Sequence, residues 1–178
     1  MTETIISGIT IELKRGDIAN QKDMDAVVNA ANAELKIGGG VAGAIHRAAG
    51  PELAKETRSM APIKPGEAVI SGGHNLPNEY VIHCLGPVYG RDKPEDELLA
   101  NCYANALRLA EKNGISRIAF PSISTGAFGY PMQDAAKVAF ETVRKSAANL
   151  SAVDLVRFVL WGEDAMSVHE EVMEHVFG

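Results

Sequence analysis

The sequence has no apolar run long enough to cross a membrane, and no basic segment followed by an apolar core near its start. These absences argue against a membrane protein and predict a cytoplasmic one.

Cysteine is also scarce. Cys84 lies in a strand pattern and Cys102 in a helix pattern, without the spacing of metal ligands. We therefore expect buried free thiols, no metal site and no cofactor.

Positive charge is in deficit, because 17 Lys and Arg residues face 23 Asp and Glu residues, for a net charge of −6. This balance argues against broad binding to nucleic-acid backbones or anionic lipid. It does not exclude an anionic ligand, because main-chain N–H groups bind phosphate without net positive charge. Repeats, low-complexity tracts and linkers are absent as well. Residues 1–178 are therefore predicted to form a single domain.

Strand and helix patterns alternate along the chain, which predicts an α/β fold: a three-layer α/β/α sandwich with a mixed, largely parallel sheet. Predicted strands cover residues 4–14 (one or two strands, with Gly8 as a bulge or turn), 26–28, 67–71, 80–85, 118–121 and 155–161. Predicted helices cover residues 41–49, 52–60, 97–113, 133–147 and 164–177. His83, within a strand that reads as buried on both faces, is interpreted as a core histidine.

Residues 26–50 carry the most informative pattern. A buried strand ends in Asn29 and Asn32, and a loop with three consecutive glycines, 38–40, leads into a short Ala-rich helix. Glycines allow close backbone approach, and a helix N-terminus favours an anion. A flexible loop without a ligand is the alternative. Residues 122–131 form a second Gly-containing loop after the strand at 118–121.

Ligands of open α/β sheets bind outside the carboxyl ends of strands, so these two loops predict a cleft with main-chain N–H groups on both sides. A diphosphate fits it, with contributions from residues 39–43 and 124–129. Phe128 and Tyr130 either offer aromatic surface to a ring or only pack. Asp17, at the end of the first strand region, has the local pattern of a turn or helix-cap residue.

Gly38, Gly40 and Gly43 also fit a dinucleotide fingerprint. We do not assign a nicotinamide-dependent oxidoreductase, because a loop separates the glycines from the strand and Pro51 shortens the helix. The expected acidic residue at the end of the next strand is missing too, since Glu67 stands at the start of that strand.

Several motifs in order resemble the macrodomain family, most closely its MacroD-type branch. They are Gly16–Ile18, Val28–Asn32, Gly38–Val41, Gly43–Gly50, Val81–His83 with Gly86-Pro87, and Phe120–Pro131. The resemblance extends from about residue 10 to residue 175. It implies an ADP-ribose-binding α/β/α fold. It further implies hydrolysis of O-acetyl-ADP-ribose and removal of ADP-ribose esterified to acidic side chains of proteins.

The resemblance also assigns site residues. Asp17 would accept a hydrogen bond from the adenine amino group, with the Ile18 amide nearby, and Asn32 would orient the distal ribose. His46 would belong to the active-site shell. The remaining ligand-binding residues are Asn29, Gly39, Gly40, Val41, Gly43, Ser124, Thr125, Gly126, Ala127 and Phe128.

The chain departs from the hydrolytic pattern at Ala42, where that branch has an aspartate that positions the attacking water. Ile37 stands where a fourth glycine is frequent, and Phe128 where tyrosine is frequent. A carboxylate at position 42 would face His46 on the same helix, so its loss predicts a large drop in rate. Other macrodomains, archaeal and viral, carry alanine there, and some still cleave ADP-ribosyl esters. We favour hydrolysis over the alternative, a non-catalytic ADP-ribose reader.

Overall fold

The computed structural model describes residues 1–178 and contains one sheet of seven strands flanked by helices on both faces. The strands are β1 (Glu3–Ile6), β2 (Ile9–Arg15), β3 (Ala26–Ala30), β4 (Ala68–Gly72), β5 (Tyr80–Cys84), β6 (Arg117–Phe120) and β7 (Leu155–Leu160). The helices are α1 (Gly40–Ala49), α2 (Glu52–Thr57), α3 (Glu95–Lys112), α4 (Met132–Ala147) and α5 (Glu163–Phe177).

The sheet is mixed and largely parallel, as predicted. Its strand order is β1-β2-β7-β6-β3-β5-β4. Only the two edge pairs, β1 with β2 and β4 with β5, are antiparallel. The four inner pairings are parallel, so β2, β7, β6, β3 and β5 all end at the same edge of the sheet. Loops that follow these strands are thereby brought together.

The two faces of the sheet bury separate apolar cores. The larger core packs under α3, α4 and α5 and includes Phe120, Phe140 and Phe158. The smaller core packs under α1 and α2 and includes Ile45, Leu53 and Val81. Alternate residues along β3 serve the two cores, as the period of a strand requires. The three-layer α/β/α sandwich is confirmed.

Local differences from the predicted elements occur at element ends. The predicted helix 52–60 splits into α2 and a 3-10 turn, Arg58–Met60. Gly8 has φ +80° and forms a turn. Of the two alternatives for residues 4–14, the structure therefore has two strands rather than one. Cys84 and Cys102 are both buried free thiols. None of the helices combines the length and the hydropathy required to span a bilayer.

The larger core supplies a test of the fold. Phe158 is fully buried, with ring centroids 5.0 Å from Phe140 and 5.7 Å from Phe120. Phe158→Ala should lower the free energy of unfolding by about 3–5 kcal/mol, because the cavity cannot collapse between three elements. Ile5→Ala is the control, since Ile5 is 67% exposed and should change stability by less than ~0.5 kcal/mol. Urea unfolding measures both, and equal losses would contradict this core.

Candidate functional site

A cleft opens at the carboxyl edge of the sheet, between two loops that follow neighbouring strands. β3 leads through residues 31–39 into α1, and β6 leads through residues 121–131 into α4. β3 and β6 are paired in parallel, so both loops leave the sheet side by side. A cavity of about 410 Å³ lies between them. Its lining comprises Ala30, Ala31, Asn32, Gly38–Ala42, Gly86, Ser122, Ile123, Ser124, Gly126, Ala127 and Phe128.

A second cavity, of about 590 Å³, continues the cleft toward the ends of β2 and β7. Gly40, Val41, Ser122 and Gly126 line both cavities, so the two form one elongated site. The other residues that line the second cavity are Gly16, Asp17, Ile18, Ala44, Arg47, Pro121, Thr125, Met132, Val159, Leu160, Trp161 and Ala165. The site therefore consists of two chambers that meet at these four shared residues, a region called the waist below.

Main-chain N–H groups dominate the waist. The N–H groups of Gly38–Ala42 and of Ser124–Phe128 donate to no acceptor within the protein. α1 starts there without a capping side chain and without an acidic residue in its first turn. Gly40 starts α1 with φ +54°, a conformation that glycine adopts readily. The positive end of a helix and a second row of free donors make an anion site.

The second loop is held in shape by hydrogen bonds from its own side chains. Ser124 has φ +68° and is buried, and its hydroxyl donates to the Pro87 carbonyl at 2.8 Å. The Thr125 hydroxyl lies 2.9 Å from Ser122 Oγ. A non-glycine residue in the left-handed region is strained and needs such support. The donors of this loop are therefore fixed in place before a ligand arrives.

Asn32 braces the first loop. Its Nδ2 donates to the Lys36 carbonyl at 2.8 Å, and its Oδ1 accepts from the Lys36 N–H at 3.0 Å. Both contacts close the loop on itself. The amide keeps one N–H and one lone pair free, and the side chain lines the first cavity.

Asp17 and Ile18 line the opposite end of the cleft. Asp17 is exposed, and its Oδ1 accepts from the Ala19 N–H at 2.9 Å. This turn confirms the turn interpretation of Asp17, and no helix starts here. Oδ2 has no partner within the protein and is free to accept a hydrogen bond from a ligand.

Three predicted site residues, Asn29, Gly43 and His46, do not line either cavity. Asn29 Nδ2 donates to His83 Nδ1 at 3.1 Å, and His83 Nε2 lies 2.8 Å from Ser71 Oγ. Asn29 therefore supports the end of β3, and its contact with a ligand stays a prediction. His83 is confirmed as a core histidine. Strand alternation explains the placement, because Asn29 follows Val27 on the face of β3 that packs under α1 and α2.

His46 lies on the buried side of α1, four residues after Ala42. It is 4% exposed, and its Nε2 has no hydrogen-bond partner. Burial lowers the pKa of His46 below its usual value, which keeps the ring neutral. Ala42 itself lines the first cavity. Since His46 lines neither cavity, its place in the active-site shell stays a prediction.

The first cavity contains no ionisable side chain. Its polar side chains are Asn32, Ser122 and Ser124, and all other lining residues are glycine or apolar. Charges occur only at the second cavity, where Asp17 and Arg47 contribute to the lining. An anion bound at the waist would thus meet main-chain dipoles rather than a cation, and a water bound there would meet no protein carboxylate.

Sequence reasoning did not single out Trp161, which is 83% exposed and lines the second cavity. It follows β7 directly, at the same sheet edge as Gly16. The signal that could have found it was its place at the carboxyl end of a predicted strand. Of the two aromatic candidates in the second loop, Phe128 lines the first cavity, whereas Tyr130 is buried and packs on Tyr89 at 4.9 Å.

Comparisons with known proteins converge on one family. A family model described as Macro domain matches residues 28–139. A Fusobacterium nucleatum protein is 49% identical over 152 residues, which cover 84% of this chain and 87% of that protein. The human ADP-ribose glycohydrolase MACROD2 is 42% identical over 170 residues, which cover 94% of this chain and 40% of that protein. A solved structure of an Oceanobacillus iheyensis macrodomain mutant with ADPR has a TM-score of 0.93 and 39% identity, covering 98% of this chain and 97% of that one.

Gly43 tests how the first loop packs on α1. A Cβ at Gly43 would lie 2.5 Å from the Gly38 carbonyl oxygen and 2.8 Å from Arg47 Nη1. Gly43→Ala should therefore lower the free energy of unfolding by about 1–3 kcal/mol, although alanine normally favours a helix. Gly39→Ala is the matched control, because nothing lies within 4 Å of its Cβ position. Urea unfolding distinguishes them, and a Gly43→Ala protein as stable as wild type would contradict this packing.

The pH dependence of stability tests whether the His83 ring is buried behind β3. Burial, and secondarily the nearby His46 ring, lowers the pKa of His83 from 6.5 to about 3. Unfolded chains bind a proton at this residue below pH 6.5, whereas the folded protein does not until about pH 3. The free energy of unfolding should thus fall as pH drops through this window, by about 2 kcal/mol at pH 5 from this residue alone.

His83→Gln removes this contribution, so its loss of stability between pH 7 and pH 5 should be smaller than that of wild type by about 2 kcal/mol. Urea unfolding at the two pH values measures the difference. Imidazole ¹³C shifts give an independent reading. A protonated His83 ring in the folded protein at pH 5 would overturn this assignment.

Proposed function

Because the chain belongs to the macrodomain family, we propose that it binds ADP-ribose in the elongated cleft and hydrolyses ADP-ribosyl esters. The whole chain, residues 1–178, would act as a single macrodomain. O-acetyl-ADP-ribose and proteins carrying ADP-ribose on acidic side chains are the proposed substrates. The human relative named ADP-ribose glycohydrolase supports the hydrolytic part of the proposal.

Free main-chain donors on both walls of the waist carry the proposal for binding. The N–H groups of Gly38–Ala42 and Ser124–Phe128 have no partner within the protein. A diphosphate placed between them would receive hydrogen bonds from both loops and would lie at the positive end of α1. The site needs no lysine or arginine for this, which agrees with a net charge of −6.

The two chambers fit the two ends of the nucleotide. In the second cavity, Asp17 offers Oδ2 to the adenine amino group, and the exposed ring of Trp161 offers a surface for stacking. In the first cavity, Asn32 and Phe128 would contact the distal ribose. The diphosphate would then lie at the shared waist between them.

Hydrolysis would follow from water attack at the distal ribose or at the acyl carbon. Water supplies the oxygen and two protons, the ester bond breaks, and ADP-ribose and a carboxylic acid are released. No side chain of the first cavity can remove a proton from that water, because Ala42 stands at the carboxylate position. An oxygen of the substrate diphosphate would assist instead, and the fixed N–H groups would stabilise developing charge.

The same observation favours a second function. A site with no ionisable side chain at its reactive end can hold ADP-ribose without cleaving its esters. The chain would then act as a reader of ADP-ribosylated partners. Turnover separates the two functions, because a reader binds the nucleotide and releases nothing.

Position 42 gives the decisive experiment. Wild type, Ala42→Asp and Ala42→Asn are incubated with O-acetyl-ADP-ribose and with a mono-ADP-ribosylated acidic protein, and free ADP-ribose is followed. Ala42→Asp should raise the rate about a hundred- to ten-thousandfold, the usual effect of general-base assistance. The variant should fold, because an acidic residue is favourable in the first turn of a helix. Ala42→Asn, of equal size but without a basic group, should leave the rate near that of wild type.

Release by wild type above the buffer rate supports the hydrolase. Clear calorimetric binding of ADP-ribose without release leaves only the reader. If Ala42→Asp binds ADP-ribose and gains no rate on either substrate, the account of position 42 is wrong.

A further inference from the structure

We infer that Gln21, held by the buried guanidinium of Arg157, is a positioning residue that makes the nucleotide site selective for adenine. The inference rests on the proposed binding of ADP-ribose. It concerns a residue outside the recognised motifs, whose side chain connects the interior of the sheet to the turn that carries Asp17.

Arg157 anchors the network. It lies on β7, on the face covered by α1, and only 5% of it is exposed. Its Nε donates to Glu12 at 2.7 Å, and its two terminal nitrogens donate to Asp23 at 2.8 and 2.7 Å. These contacts raise the pKa of Arg157 and lower the pKa of Asp23 to about 2, so the network stays charged. The guanidinium plane is thereby fixed on two sides.

Gln21 connects this anchor to the ligand turn. Its Oε1 accepts from Arg157 Nη1 at 2.9 Å, and its Nε2 donates to the Asp17 carbonyl at 2.8 Å. Gln21 is 4% exposed, which leaves its amide few alternative partners. Its own carbonyl accepts from Asn78 Nδ2 at 2.7 Å, a second buried contact. Both ends of the side chain and its backbone are therefore held.

The Asp17 carboxylate depends on this support. Its Oδ1 is oriented by the Ala19 N–H, and its backbone carbonyl by Gln21 and by the Asn20 N–H at 3.0 Å. Oδ2 then points from a fixed turn, although Asp17 itself is exposed. An exposed carboxylate on an unsupported turn could rotate toward other donors. A supported one accepts a hydrogen bond from the adenine amino group and repels a carbonyl oxygen at the same place.

A buried arginine network is weak evidence for a gain in stability, because desolvation offsets most of the attraction between the charges. Its effect on geometry is separate from its effect on stability, because all three guanidinium nitrogens of Arg157 donate to carboxylate oxygens. That distinction makes the inference testable: a positioning role changes the preference between two ligands, whereas a purely structural role changes stability alone.

Gln21→Glu is the informative variant. A glutamate retains the contact with Arg157 but has no N–H to donate to the Asp17 carbonyl. Calorimetry would measure the affinities of wild type and variant for ADP-ribose and for inosine diphosphate ribose, which carries oxygen in place of the adenine amino group. Wild type should prefer ADP-ribose by about tenfold or more, and Gln21→Glu should reduce that preference about fivefold, the effect of one hydrogen bond.

Two further variants control for failure of Gln21→Glu to fold and for a general loss of stability. Gln21→Met removes both contacts without adding charge and should reduce the preference in the same way if Gln21→Glu does not fold. Leu107→Ala, in the core on the opposite face of the sheet, destabilises without touching this network and should leave the preference unchanged. Urea unfolding confirms that each protein is folded at the temperature of the assay.

The outcomes separate the two proposals. If wild type prefers ADP-ribose and both Gln21 variants keep that preference, Gln21 has no positioning role and the proposed function stands. If wild type binds both nucleotides equally, the inference fails while nucleotide binding survives. If wild type binds neither, both proposals fail.

Discussion

The site depends on main-chain N–H groups that the fold leaves without partners at one edge of a parallel sheet. Strands β3 and β6 run in the same direction and are hydrogen-bonded neighbours, so their loops leave the sheet at the same place. Each loop presents a row of N–H groups, and α1 adds its positive end. Because these donors belong to the backbone, the charge of the side chains matters little. An acidic protein can thus carry an anion site.

Several side chains near the cleft hold the backbone that carries these donors in place. Ser124 ties the second loop to Pro87, Asn32 closes the first loop, and Gln21 secures the turn at Asp17. The first cavity has no ionisable side chain in its lining. Binding and chemistry are therefore separable in this fold, since the donors that would hold a diphosphate remain whether or not a carboxylate stands at position 42. Under the proposed function, an alanine at that position would lower the rate and leave the cleft intact.

The elements were predictable because their signals are local. Alternation along residues 9–14, the apolar run before Asn29 and the periodic face of α3 each depend on neighbouring residues. The two glycine loops were predictable for the same reason. Because each loop follows the carboxyl end of a predicted strand, the sequence also predicted that they lie together. The direction of a side chain depends also on strand register, which links distant parts of the chain. The resemblance assigned Asn29 to the ligand, and the register of β3 with β5 places its side chain against His83.

By itself, the sequence determined the alternation of strands and helices, the two glycine loops and the family to which the chain belongs. Each of these depends on propensity, turn chemistry or motif order within short segments of the chain. Tertiary structure decided which residues reach the cleft. Trp161 enters it because β7 ends beside β2, and His46 is excluded because it faces the buried side of α1. Arg157 and Gln21 meet across 136 positions, a contact set by strand order and loop path that no local pattern encodes.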